Sequence, residues 1–361
     1  MHWLMTSFQG GLASLASYLA AHVLLCLVPA FFIAGGLSAL VPQQSIIRYL
    51  GPDAPKWMSY PAAAGAGSLL AVCSCTIQPL FAGIYKKGAG LGPAITFLFF
   101  APAANILALS YTGVALGADF AIARILLALS FGIGIGMIMA VLFRESDVAR
   151  LADTQTFATG EGISGRTLLF LGTLVALLIA GTLKLDFLKA IVLSTSIPWS
   201  GASGVQQLLD GAVPVNEGTG AEGLSLQGAL LIGLLAVIGA TAWRGLGKVD
   251  EGFNRLTFVT LGLVVATLVF AAMGVQVTPG GISLAVTGRT VAVIVTSLAL
   301  LPQARRFDAW DVQQWLWETW RFVKMIFPLL IVGVFLVGVI RVFIQPEWVQ
   351  AIAGANTVGI E

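Results

Sequence analysis

AVCSCTIQPLFAGIYKKGAG, from Ala71 to Gly90, makes a poor membrane span. Cys73 and Cys75 close an apolar run, Pro79 follows four residues later, and the pair Lys86–Lys87 comes soon after. The surrounding chain nevertheless reads as membrane protein. Its 361 residues are 58% hydrophobic and only 10% charged, against roughly 45–50% and about 25% in soluble domains. A net charge of +2 with no basic run gives no nucleic-acid surface. Three cysteines in this length do not form a disulfide framework. No Lys or Arg precedes the first apolar segment, so the basic start of a secretory signal is missing.

A helix needs about 20 apolar residues to cross the hydrocarbon core. Such runs occupy 17–41, 92–112, 118–142, 166–184, 225–243, 256–275, 282–302 and 323–343. Basic residues mark the cytoplasmic side. They fall in 42–57 (Arg48, Lys56), 143–166 (Arg144, Arg150, Arg166), 244–255 (Arg244, Lys248, Arg255) and 303–324 (Arg305, Arg306, Arg321, Lys324), whereas 113–117 and 276–281 carry none. Alternation puts the N-terminus outside. Lys56 and Lys86 then both lie inside, so 58–85 starts and ends on one face. At about 28 residues it is too short for two crossings. The expectation is a re-entrant hairpin with Cys73 and Cys75 near its tip, in backbone that must be walled by protein or face a water-filled cavity.

HVLLCLVPAFFIAGGLSALVPQQSIIRYLG (22–51) and FVKMIFPLLIVGVFLVGVIRVFIQPEWVQAIAG (322–354) share two prolines, a Gly-containing apolar run and a short amphipathic end. Their opposite directions suggest an inverted repeat, a recurring transporter plan. The expected architecture is an all-α polytopic bundle of about eight spans plus the hairpin. Residues 1–143 form the first repeat, 144–165 a cytoplasmic loop, and 166–302 the middle spans with an outer loop at 185–224. Residues 303–361 form a cytoplasmic amphipathic segment and the start of a second, incomplete repeat. Either the sequence is truncated after Glu361 or a partner chain completes that repeat.

CSCTIQPLFAGIYKKGAGLGPAITFLFFAPAANILAL (73–109) resembles the ArsP-type permease family, whose members show C-S-C, P-L, K-G-A-x-L-G-P-A and P-A-x-N in this order. WLWETWRFVKMIFPLLIVGV (315–334) and PEWVQAIAGAN (346–356) are similar to it as well. The resemblance implies a permease; members export trivalent organoarsenicals and others are heavy-metal efflux proteins. A member would continue past the GAN with a second hairpin, which this sequence lacks.

Thiolate selects soft ions and thiophilic metalloids, and a helix N-terminus favours the thiolate form. Cys73 and Cys75 are therefore the candidate substrate or metal ligands, with Ser74 and Thr76 as hydroxyl partners and Asn105, after Pro102, as an amide in the pathway. The plainer alternatives are a cysteine packed as a small hydrophobe and an asparagine serving as interhelical glue. His22 and Cys26 share a face four residues apart, and Pro79 and Pro102 open the backbone. Gly83, Gly88, Gly90 and Gly92 reflect close packing, since no phosphate-loop pattern is present. Arg124, Arg289 and Arg341 read as snorkelling cations, with a pathway role the alternative for Arg289. Trp310, Trp315, Trp317 and Trp320 read as an interfacial amphipathic helix. Every acid falls in a loop or at a span end, so no buried proton relay is visible.

The function expected is a secondary permease of a bacterial inner membrane, exporting a soft thiol-reactive species by alternating access, without a cofactor. Its partners would be the substrate, the bilayer and a second copy or completing chain. The rivals are a transmembrane thiol–disulfide oxidoreductase, disfavoured because a C-x-C bridge is strained, and a non-transporting partner subunit.

Overall fold

The computed structural model describes residues 2–52, 54–69, 74–105, 109, 112–113, 117–147, 149, 164–182, 191–198, 201–212, 224–278 and 281–341. One helical run opens the chain: α1 (His2–Tyr18), a π-helical segment (Leu19–Leu27) and α2 (Val28–Leu40). Pro29 at the start of α2 withholds the N–H that Leu25 O would accept in a regular helix, and the preceding residues take the wider π turn. After Val41–Pro42 comes the short amphipathic α3 (Gln43–Leu50). Three short helices follow: α4 (Lys56–Leu69), α5 (Ser74–Lys86) and α6 (Leu91–Ala103). Gly90 N–H donates to Leu50 O at 2.6 Å, so the chain between them leaves and returns to one point.

The rest is built from longer elements. They are α7 (Ala118–Leu142), α8 (Gly165–Thr182), β1 (Ile191–Ile197), α9 (Ala202–Ala212) and α10 (Leu226–Gly245), followed by a 3-10 turn (Leu246–Glu251). After these come α11 (Arg255–Ala272), β2 (Gly274–Thr278), β3 (Gly281–Thr287), α12 (Gly288–Ala304) and α13 (Ala309–Arg341). Among the described residues five helices are long and apolar enough to cross a membrane, at Ala118–Leu142, Gly165–Thr182, Leu226–Glu251, Arg255–Ala272 and Ala309–Ile340. The other three expected spans are shorter apolar helices, Leu24–Leu40, Leu91–Ala103 and Gly288–Ala304.

Three differences from the sequence expectation stand out. The all-α reading omits an antiparallel sheet ordered β1-β3-β2. It takes in 282–287 from an expected span, because Ile282, Leu284 and Val286 alternate with Ser283, Ala285 and Thr287 at the two-residue period of a strand. The outer loop of 185–224 contains β1 and α9. Finally, α13 runs unbroken through the supposed cytoplasmic segment, and Trp315 and Trp320 are 8% and 6% exposed. These two are core residues rather than interfacial anchors; Trp310 stays exposed.

The core forms where α13 packs antiparallel against α1 and α2. Gly338 meets Ser14 and Gly11 at one end, while Gly35 meets Thr319 and Trp315 at the other. The Trp315 indole N–H donates to Phe32 O at 2.8 Å, and its ring meets Phe170 edge-on. Small residues let helix backbones approach where lipid offers no hydrophobic drive. A second seam joins α6 to α7, where Thr96 Oγ1 donates to Gly132 O at 3.0 Å and Gly136 lies against Thr96. The outer faces of α7 carry exposed Phe120, Leu126, Phe131 and Val141, as expected of a lipid-facing helix. A Cβ at Gly35 would stand 2.8 Å from Thr319 N and 2.9 Å from Trp315 O, backbone atoms that cannot swing aside. Gly35→Ala is expected to cost about 1–3 kcal/mol, read as a lowered Tm in detergent.

Candidate functional site

Four helix ends come to one level. Helices α4 and α6 run side by side in the same direction, since Gly92 faces Tyr60 near their starts and Gly67 faces Ala101 near their ends. Leu69 and Ala103, their last residues, are thus level. Helix α5 runs parallel to α2: Gly83 lies 3.1 Å, measured from a Cβ placed on it, from Ala34 O. Lys86 and Ser38, near the two C-terminal ends, both reach Glu318. At its other end α5 packs on the π segment. Helices of 14, 13 and 13 residues are about 20 Å long, against about 30 Å of hydrocarbon.

The expected site residues fall at these ends. Cys73 lies outside the described residues. Ser74, Cys75 and Thr76 form the first turn of α5, with side chains outside the described set. Pro79 is buried inside α5, where it withholds the N–H that Cys75 O would otherwise accept. Asn105 sits just beyond α6, 7% exposed, and its Nδ2 donates to Ala101 O at 3.2 Å. Pro102 is inside the last turn of α6. His22 and Cys26 both belong to the π segment; Cys26 is half-buried, and the His22 side chain is outside the described set. The first turn of α5 and the π segment are thereby adjacent in backbone. Among the described residues no group of three His, Cys, Asp or Glu could hold a metal ion, and the Cys73–Cys75 pair is not within that set.

Two residues, one at this site and one at the opposite end of α5, escaped the sequence reading. Arg124 does not snorkel: its Nε donates to Ala103 O at 2.6 Å and its Nη1 to Thr112 Oγ1 at 2.9 Å. A guanidinium thus satisfies the last carbonyl of α6, at the negative end of that helix dipole. Glu318 lies inside α13 with its side chain 12% exposed, ion-paired to Lys86 at 2.5 Å and to Arg321 at 3.4 Å. A membrane arginine and a glutamate between tryptophans were the available signals.

The Glu318 carboxylate also governs Lys87. Burial pushes that ammonium below the usual lysine value, Lys86 pushes the same way, and Glu318 opposes both. A base with a depressed folded value destabilises the fold fully while protonated in both states, and the penalty fades as pH rises from that value to the ordinary one. Glu318→Gln removes the opposing charge and the Lys86 pair. The expected loss is about 1–2 kcal/mol at neutral pH, between the exposed and buried limits for ion pairs. Thermal melts should show the deficit shrinking as pH rises towards the ordinary lysine value.

Comparison with known proteins places this arrangement. A UPF0718 protein of Methanocaldococcus jannaschii is 29% identical over 358 residues, covering 99% of this chain and 75% of its relative. No solved structure matches. The model of a family described as predicted permease, ArsP_1, matches residues 9–360. With five helices fit to cross a bilayer and a family match over nearly its whole length, the chain belongs to the ArsP_1 predicted permeases.

Proposed function

We propose that this membrane permease moves a soft, thiol-seeking species, a trivalent organoarsenical or a heavy metal, past Cys73 and Cys75. The hydrogen bond from Gly90 to Leu50 carries the reading. It joins the end of α3, just before α4, to the cap of α6, just after α5, so the two short helices between them read as a hairpin that enters and leaves by one face. Ser74 and Cys75 of the C-S-C sequence stand in the first turn of α5, near the level of the end of α6 at Asn105. Broken helices at mid-depth are where secondary transporters hold their cargo. Cys75 O, left without its helical donor by Pro79, adds an oxygen ligand there. Ser74, Thr76 and Asn105 supply further polar contacts, and the adjoining π segment brings His22 and Cys26 to the same level.

The antiparallel crossing of α13 on α1 and α2 supports an inverted repeat, with 1–143 as its first copy and 303–361 as the start of its second. Basic residues gathered at the Lys86–Glu318 end support a cytoplasmic assignment for that face and an outside N-terminus, in a bacterial inner membrane. The sequence holds no phosphate-binding loop, so an ion gradient or a partner would supply the energy.

Transport into inverted vesicles or proteoliposomes tests the mechanism. With a trivalent methylarsenical as cargo, Cys73→Ser and Cys75→Ser should each reduce the initial rate at least tenfold while leaving the Tm within a few degrees. Equal flux in all three proteins would remove the thiol mechanism.

A further inference from the structure

At the end of the bundle that bears the sheet, a cavity of about 230 Å³ opens between the π segment and the starts of α10 and α12. Ser17, Ser225, Gln227 and Arg289 supply its polar wall, and no carboxylate lines it among the described residues. Arg289 Nε is buried and bonds to nothing. No ion pair to this guanidinium exists among the described residues. Ser297, further along α12 and outside the cavity wall, carries the other buried hydroxyl or nitrogen without a partner among the described residues.

Of the wall's other groups Ser225 leaves a donor, whereas Ser17 Oγ donates to Ser14 O at 3.1 Å and keeps only acceptor capacity. Gln227 Nε2 is spent on Phe270 O and Met273 O, both at 2.9 Å, which closes the end of α11. Ser225 Oγ accepts from Gly228 N at 3.1 Å as the cap of α10, which leaves its own proton to donate into the cavity. The first turns of α10 and α12 both border the space, and helix starts carry positive partial charge. A guanidinium, a hydroxyl donor and two helix starts border a volume with no anion among the described residues of its wall.

We infer that this cavity is a binding site for a small oxyanion, a carboxylate or phosphate group, with Arg289 as its principal ligand. The planar fork of arginine matches such groups with two parallel hydrogen bonds. The volume is below the roughly 300 Å³ at which sites for drug-sized ligands begin, which suits a compact anion or a single headgroup. No cysteine is among the described residues that line the cavity, although its wall shares the π segment with Cys26.

Thermal melts of the full chain in neutral detergent test it, with inorganic phosphate and acetate titrated at constant ionic strength and phosphatidylglycerol in a separate arm. Wild type should gain several degrees, saturably, in at least one arm. A response to the free anions identifies a soluble ligand, and a response to the lipid alone identifies a headgroup. Arg289→Gln should abolish the gain, Arg289→Lys should retain part of it, and Cys75→Ser should leave it intact. In anion-free buffer Arg289→Gln should melt no lower than wild type, because the guanidinium holds nothing in the protein. A wild type indifferent to every arm marks a water-filled cavity only and overturns the inference. So does a gain that persists in Arg289→Gln, or an Arg289→Gln protein that melts lower without anion.

Discussion

Backbone that stops being helical within a bilayer must find its hydrogen bonds inside the protein, and this requirement organises the molecule. Arg124 reaches from α7 to Ala103 O, and Asn105 turns back to Ala101 O, where α6 ends. Thr290 Oγ1 closes the last carbonyl of α11 from α12, and Thr257 Oγ1 bonds Gly245 O at the end of α10. Trp315 does the same for Phe32 O at the centre of the bundle. Polar side chains here are spent chiefly on carbonyls, and that spending is what lets α4, α5 and α6 be short. The candidate site follows from it: helices can end at mid-depth only where neighbours receive their ends.

Close approach supplies the second ingredient. Gly35, Gly136 and Gly338 each sit where a neighbouring helix leaves no room for a Cβ. Because the glycine seams fix the lateral positions, the level of each helix end is fixed as well. Gly83 against Ala34 sets the depth of α5, and Gly67 against Ala101 sets that of α4. The Lys86–Glu318 pair then fastens the far end of α5 to α13. The site lies between packed glycines on one side and an ion pair on the other.

Much of this was legible in the residues. The break in helix around Pro79 was readable as an interruption of an apolar run, and 58–85 does divide between two short helices, α4 and α5. The apolar runs located the five long helices, because a span is a composition signal. What failed were features that composition does not encode. The 282–287 strand was as apolar as a span, and only its two-residue alternation set it apart. The tryptophans before Phe322 carry apolar rings with polar tips, a chemistry that fits a membrane surface and a core equally well; only the facing Phe32 and Phe170 decide between them. Arg124 and Glu318 looked peripheral because their partners lie on other helices, 21 residues away for Ala103 and 232 for Lys86.

The shortness of α4 and α5 bears on how the protein is made. Synthesis delivers α1 and α2 first, and these can lie across the bilayer at once. The next two helices then emerge, neither able to cross by itself, while α6 and α13, which wall them in, are still to come. Two of the neighbours of α5, α6 and α13, lie after it in the chain, so its enclosure is complete only once the last long helix has been made.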